Sequence, residues 1–140
     1  MKQLICLLIW LAVALPAAAD PAATRAINDL RARAGKAALT YSPVLERAAQ
    51  AHADDMARRG FFAHEGSNGS AVSERVGAQG YSWCFVAENI AKGQRNLAQV
   101  MQGWTTSKGH YQNMVHKNAR AFGLAQAKGN LWVMVLAAPC

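Results

Sequence analysis

Two apolar runs close the chain, Ala121 to Ala127 and Leu131 to Ala137, parted only by Lys128-Gly129-Asn130. Aromatic and β-branched residues on either side of a Gly-Asn turn predict a β-hairpin. What precedes it is mainly helical. Pro21 to Ala34 carries Ala22, Ala26, Ile27 and Leu30 on one face, with Arg25, Asp29, Arg31 and Arg33 off it, and Gly35 ends it. Ser42-Pro43 opens a longer helix, with Ser42 as cap, Pro43 in the first turn and Glu46 near the reciprocal capping position. Its apolar stripe is Leu45, Ala48, Ala49, His52, Ala53 and Met56, and Gly60 stops it. Phe61 to Gly80 reads as loop with a short helical turn near Ser73 to Val76, and Trp83 to Ala91 has no clean period. Helices first and strands last predict an α+β chain, a small antiparallel sheet covered by helices.

Residues 1–19 are set aside from that fold. Lys2, an apolar run of about 12 residues and Pro16-Ala17-Ala18-Ala19 form a secretory signal, too short to span a bilayer. Cleavage after Ala19 is expected, leaving one domain over 20–140 in a secreted or periplasmic protein. Cys6 leaves with the signal, so Cys84 and Cys140 remain in an oxidising compartment and are expected to pair. Lys and Arg outnumber Asp and Glu 15 to 8, and the cations are scattered. That surface suits an anionic envelope polymer or lipid, not nucleic acid, which calls for concentrated charge interleaved with aromatics.

The rest of the chain is organised around the stretch Trp104 to Val115. Leu97, Val100, Met101 and Trp104 form a helical stripe running to Lys108, with Asn96 as its cap. Gly109 is expected to end that helix, holding His110 at its end against Trp104. His52 lies on an apolar face and reads as structural, and Asp54 and Asp55 as a solvated face. His64-Glu65 is followed by Gly66-Ser67-Asn68, without the second histidine of a zinc-protease helix. Ser107 and His110 are close enough in sequence to meet, but no acid or glycine-flanked elbow supports a serine nucleophile. Asn68-Gly69-Ser70 matches a glycosylation sequon, a pattern that arises readily by chance.

Taken in order, Ala48 to Ala57, Phe62-Ala63-His64, Arg75, Gly80-Tyr81, Ala87 to Gly93 and Trp104 to Met114 resemble the CAP superfamily. That superfamily comprises the cysteine-rich secretory, antigen 5 and pathogenesis-related proteins, and the chain is most similar to its small exported bacterial members. The resemblance implies an α-β-α sandwich with a central antiparallel sheet. It also implies a cleft in which His64 and His110 match the family's histidines and Glu88 its first glutamate. The second glutamate's position is Ser107, and Ala87 stands where glycine is usual.

Two imidazoles and one carboxylate predict weak zinc binding through His64 and His110, since catalytic zinc takes three protein ligands plus water. The expected function is an extracytoplasmic binding module, a monomer that meets an envelope or extracellular partner through the His64–Glu88–His110 cleft with Ser107 beside it. Two alternatives stay open. One is a weak metal-dependent hydrolase of peptide or cell-wall bonds with Glu88 as general base. The other is a carrier of sterol or other lipid.

Overall fold

The structure is a computed structural model that describes residues 20–140; the expected signal peptide lies outside the described residues. In chain order the elements are α1 (Pro21–Arg33), β1 (Thr40–Tyr41), α2 (Pro43–Arg59), α3 (Val72–Ala78) and β2 (Trp83–Lys92). They continue with α4 (Leu97–Thr106), α5 (Lys108–Met114), β3 (Ala121–Ala127) and β4 (Leu131–Pro139). No described helix is long and apolar enough to cross a membrane.

The helix starts follow their capping residues. Asp20, Ser42 and Asn96 each accept from backbone N–H groups of the first turn of α1, α2 and α4, which satisfies donors a helix otherwise leaves orphaned. Asn130 and Gly129 take positive φ (54° and 86°) and turn β3 back on β4. The strand order is β1-β3-β4-β2. β2 and β3 flank β4 antiparallel, and two-residue β1 adds to β3 in parallel.

β4 is buried on both faces, and its alternation sorts the core into two layers. Trp132, Met134 and Leu136 point with Phe122 and Leu124 toward α1, α4 and α5. Leu131, Val133, Val135 and Ala137 point with Ala125 and Ile90 toward α2 and α3. The result is an α-β-α sandwich.

Small residues allow α2 its close approach. Ala48, Ala49 and Ala53 of α2 are buried on the β3 side of that layer. A Cβ on Gly123 would collide with the backbone of Leu45 and Glu46, lying 2.7 Å from Glu46 Cα. Backbone cannot step aside as a side-chain tip can, so Gly123→Ala is expected to lift α2 and destabilise the fold by about 3 kcal/mol. Urea unfolding checks this; an unchanged midpoint would show that α2 slides freely on the sheet.

Two expectations are corrected. Gly109 does not end the Trp104 helix: α4 stops at Thr106, Ser107 is the junction (φ −97°, ψ 118°), and Gly109 lies inside α5. His110 is thus in the first turn of a new helix rather than at the end of an old one. Arg31 is not on a solvent face but 1% exposed. Its guanidinium donates to Ala37 O at 2.6 Å and Met114 O at 2.8 Å, tying the end of α1 to the end of α5.

Candidate functional site

β2 is an edge strand, and adjacent residues on it point to opposite sides. Glu88 points toward α2 and α3, while Asn89 points toward α5, where its Nδ2 donates to His110 O at 3.0 Å. Asn113 of α5 donates to Asn89 Oδ1 at 2.9 Å and to Glu88 O at 3.3 Å. Trp104 Nε1 donates to Ile90 O at 3.2 Å. These side chains occupy outer-edge carbonyls of β2 and hold α5, with its histidine, against the strand.

Glu88 is the centre of a buried ion cluster. Its side chain is 2% exposed. Oε1 accepts from His64 Nδ1 at 2.8 Å and Oε2 from Arg75 Nη2 at 2.8 Å. Arg75 also donates to Ser70 O at 2.6 Å and His64 O at 2.9 Å, so one guanidinium fixes the carboxylate and the loop carrying His64. His52 Nε2 lies 3.9 Å from Glu88 Oε1 and hydrogen-bonds Ala63 O at 2.8 Å.

The partners settle the tautomers of neutral rings, because carboxylates and carbonyls only accept. His64 therefore carries its proton on Nδ1 and presents Nε2 outward from a side chain that is 60% exposed. His52 carries its proton on Nε2, and its buried Nδ1 has no partner among the described residues.

His110 and Ser107 form a second, adjacent pair, with Nδ1 and Oγ 2.9 Å apart. They line a cavity of about 300 Å³ together with Phe62, Gln94, Val100 and Trp104. Phe62 is 46% exposed, and Gln94 Oε1 is buried without a partner among the described residues. The structure thus joins His64 to Glu88 and His110 to Ser107. No direct hydrogen bond among the described residues joins the two pairs; Asn89 and Asn113 bridge their backbones.

Burial, and next the charge of His64, holds the His110 pKa below its ordinary value of 6.5. Burial also lowers that of His52, outweighing the attraction of Glu88. The unfolded chain therefore takes up protons at higher pH than the folded one. The stability contributed by the two neutral rings is complete above about pH 6.5 and is lost as pH falls toward the folded values. Thermal melts should show a falling midpoint below that pH, with a shallower slope in His52→Gln. Equal slopes would mean that His52 is not buried neutral.

The zinc expectation meets a deficit of ligands. Among the described residues no group of three or more His, Cys, Asp or Glu side chains could hold a metal ion. Glu88 has both oxygens engaged, leaving His64 Nε2 and His110 as donors, fewer than a catalytic zinc takes. Asp55, on the solvated face the sequence predicts, also holds the neighbouring loop. It accepts from Ser67 N at 2.8 Å and Ser67 Oγ at 2.7 Å, which keeps its carboxyl below the usual range and pins the loop after His64. A sequence pattern for the Arg75–Glu88 pair is lacking, because it joins α3 to β2 and follows no local period.

The model of the cysteine-rich secretory protein family, CAP, matches residues 24–136. The chain belongs to that family. Among curated proteins this CAP chain is similar to YkwD of Bacillus subtilis, 28% identical over 106 residues, covering 75% of this chain and 41% of that protein. Among solved structures it is similar to an extracellular SCP-domain protein of Bacillus anthracis (TM-score 0.79, 20% identity), covering 83% of this chain and 39% of that one. An outer surface protein of Borrelia burgdorferi superposes with TM-score 0.77 at 20% identity, covering 84% and 90% of the two chains. The chain thus spans about two-fifths of the length of the two Bacillus proteins. The Cys84–Cys140 disulfide is present, its Cα atoms 4.8 Å apart.

Proposed function

We propose that this CAP domain is an exported binding module that holds an envelope or extracellular partner in the cleft beside β2. The observation that carries this reading is the full engagement of Glu88 by His64 and Arg75. A carboxylate with both oxygens bonded and almost no exposure is a structural anchor rather than a general base, which must reach a proton on substrate or water. What faces outward instead is a binding surface: His64 Nε2, the His110–Ser107 pair, and a cavity walled by Phe62 and Trp104.

Gln94 Oε1, without a partner among the described residues, adds a second support. A buried acceptor without a donor costs about 1–3 kcal/mol, a cost that a partner's N–H or O–H would relieve. Export, with cleavage after Ala19, is supported by the apolar run of residues 4–15, the disulfide, and the extracellular and surface descriptions of the structural relatives. Scattered cations on the domain favour an anionic partner surface.

Crosslinked capture from the envelope fraction tests the reading. Wild type should retain a reproducible partner, lost in Phe62→Ala and in His110→Ala and weakened by added salt. Capture that both variants leave unchanged would place binding elsewhere on the domain. Turnover of peptide or cell-wall substrate abolished by Glu88→Gln would overturn the binding reading in favour of a hydrolase.

A further inference from the structure

Asn68 is the only asparagine in the chain that is followed by glycine. It sits exposed in the loop pinned between Asp55 and Arg75. Gly69 takes φ 80°, and the space where its side chain would stand is open. Nothing therefore shields its nitrogen from Asn68 Cγ. Ser70 N donates to Asn68 Oδ1 at 3.0 Å, polarising that carbonyl toward attack. One turn bond, Gly69 N to Gly66 O at 2.8 Å, must open before the nitrogen is free to react.

Every other asparagine is followed by a residue with a side chain, and Asn28 and Asn89 are held as well. Asn28 exchanges two hydrogen bonds with Leu39, and Asn89 is fully buried and bonded to His110 and Asn113.

Asn68 also lies beside a basic side chain. It shares a cavity of about 360 Å³ with Arg75, Glu74 and Ala78. Both Nη atoms of Arg75 are engaged, but its Nε is buried with no partner among the described residues. Arg75, which lines this cavity, thus has one N–H unspent among the described residues.

We propose that Asn68-Gly69 is a self-modifying site whose product carboxylate docks on Arg75. The Gly69 nitrogen forms a bond to Asn68 Cγ, the Cγ–Nδ2 bond breaks, and the amide proton leaves with the amine as ammonia, closing a succinimide. Water then adds across either ring C–N bond, giving aspartate or isoaspartate and one new negative charge. Nothing is oxidised or reduced, and water is the sole co-reactant. The aspartate carboxylate accepts from Arg75 Nε–H and competes with Glu88 for the guanidinium, so the loop carrying His64 changes its charge as the protein ages.

Folded protein held at mildly alkaline pH and then digested tests the chemistry. The peptide containing Asn68 should gain the mass of water less ammonia, with the other asparagines unchanged. Asn68→Gln and Gly69→Ala should each suppress the gain. Asn68 that stays intact while an unfolded control converts would overturn the site. The docking half is read in Asn68→Asp by the Arg75 Nε–H resonance, which should shift and exchange more slowly with solvent. An unmoved resonance would overturn it.

Discussion

Glu88→Ala is expected to destabilise the protein by about 3–5 kcal/mol, because removing one member of a buried pair leaves the other charge uncompensated. Here the survivor is Arg75, whose side chain is 10% exposed. It would lose a 2.8 Å carboxylate contact and keep only backbone carbonyls as acceptors. His64 would lose the bond that orients its ring. Urea unfolding of Glu88→Ala, Arg75→Met and the double variant separates the causes. The double variant should recover part of the loss, since removing both charges leaves none buried. A Glu88→Ala loss below about 1 kcal/mol would mean that the pair behaves like a solvated surface bridge.

Loss of the disulfide has a comparable expected size. Cys84 and Cys140 are 56 residues apart, and a loop of that length is worth about 4 kcal/mol in the chain-entropy account. The bond adds little to the folded geometry, because β2 and β4 already pair from Trp83 opposite Pro139 to Lys92 opposite Leu131. Its effect falls on the unfolded chain. Cys84→Ser should therefore lower the unfolding midpoint under oxidising conditions and match reduced wild type. A variant as stable as the oxidised protein would show that the bond closes no loop of consequence.

Features governed by local chemistry were legible in the sequence. Ser42 with Pro43, Asn96, and Lys128-Gly129-Asn130 act through hydrogen bonds and dihedrals a few residues away, and each marks a real boundary. The cysteine pair was legible by elimination once residues 1–19 were set aside. Gly109 misled because glycine permits a helix stop without requiring one. The chain instead breaks at Ser107, whose extended ψ re-aims α5 so that Asn113 reaches β2.

Long-range pairing was the least legible part. β2 shows no clean alternation because both its faces are covered: Glu88 and Ile90 meet the α2–α3 layer, while Asn89 and Ala91 meet the other. Arg31 and Arg75 look like surface residues until the fold brings carbonyls and a carboxylate to them. For the candidate site, the family resemblance supplied His64, Glu88, Ser107 and His110. It marked Arg75 as a matching residue without a role, and that cation decides what the glutamate can do.

Native mass spectrometry of the protein, purified without chelator or added metal, separates a plain binding module from a metal centre or a lipid carrier. A binding module should appear as a polypeptide carrying the Cys84–Cys140 bond and no retained metal or lipid. Retained zinc that disappears in His64→Ala and His110→Ala would contradict it and make the cleft a metal centre. A retained lipid mass would contradict it in the other direction and make the domain a carrier.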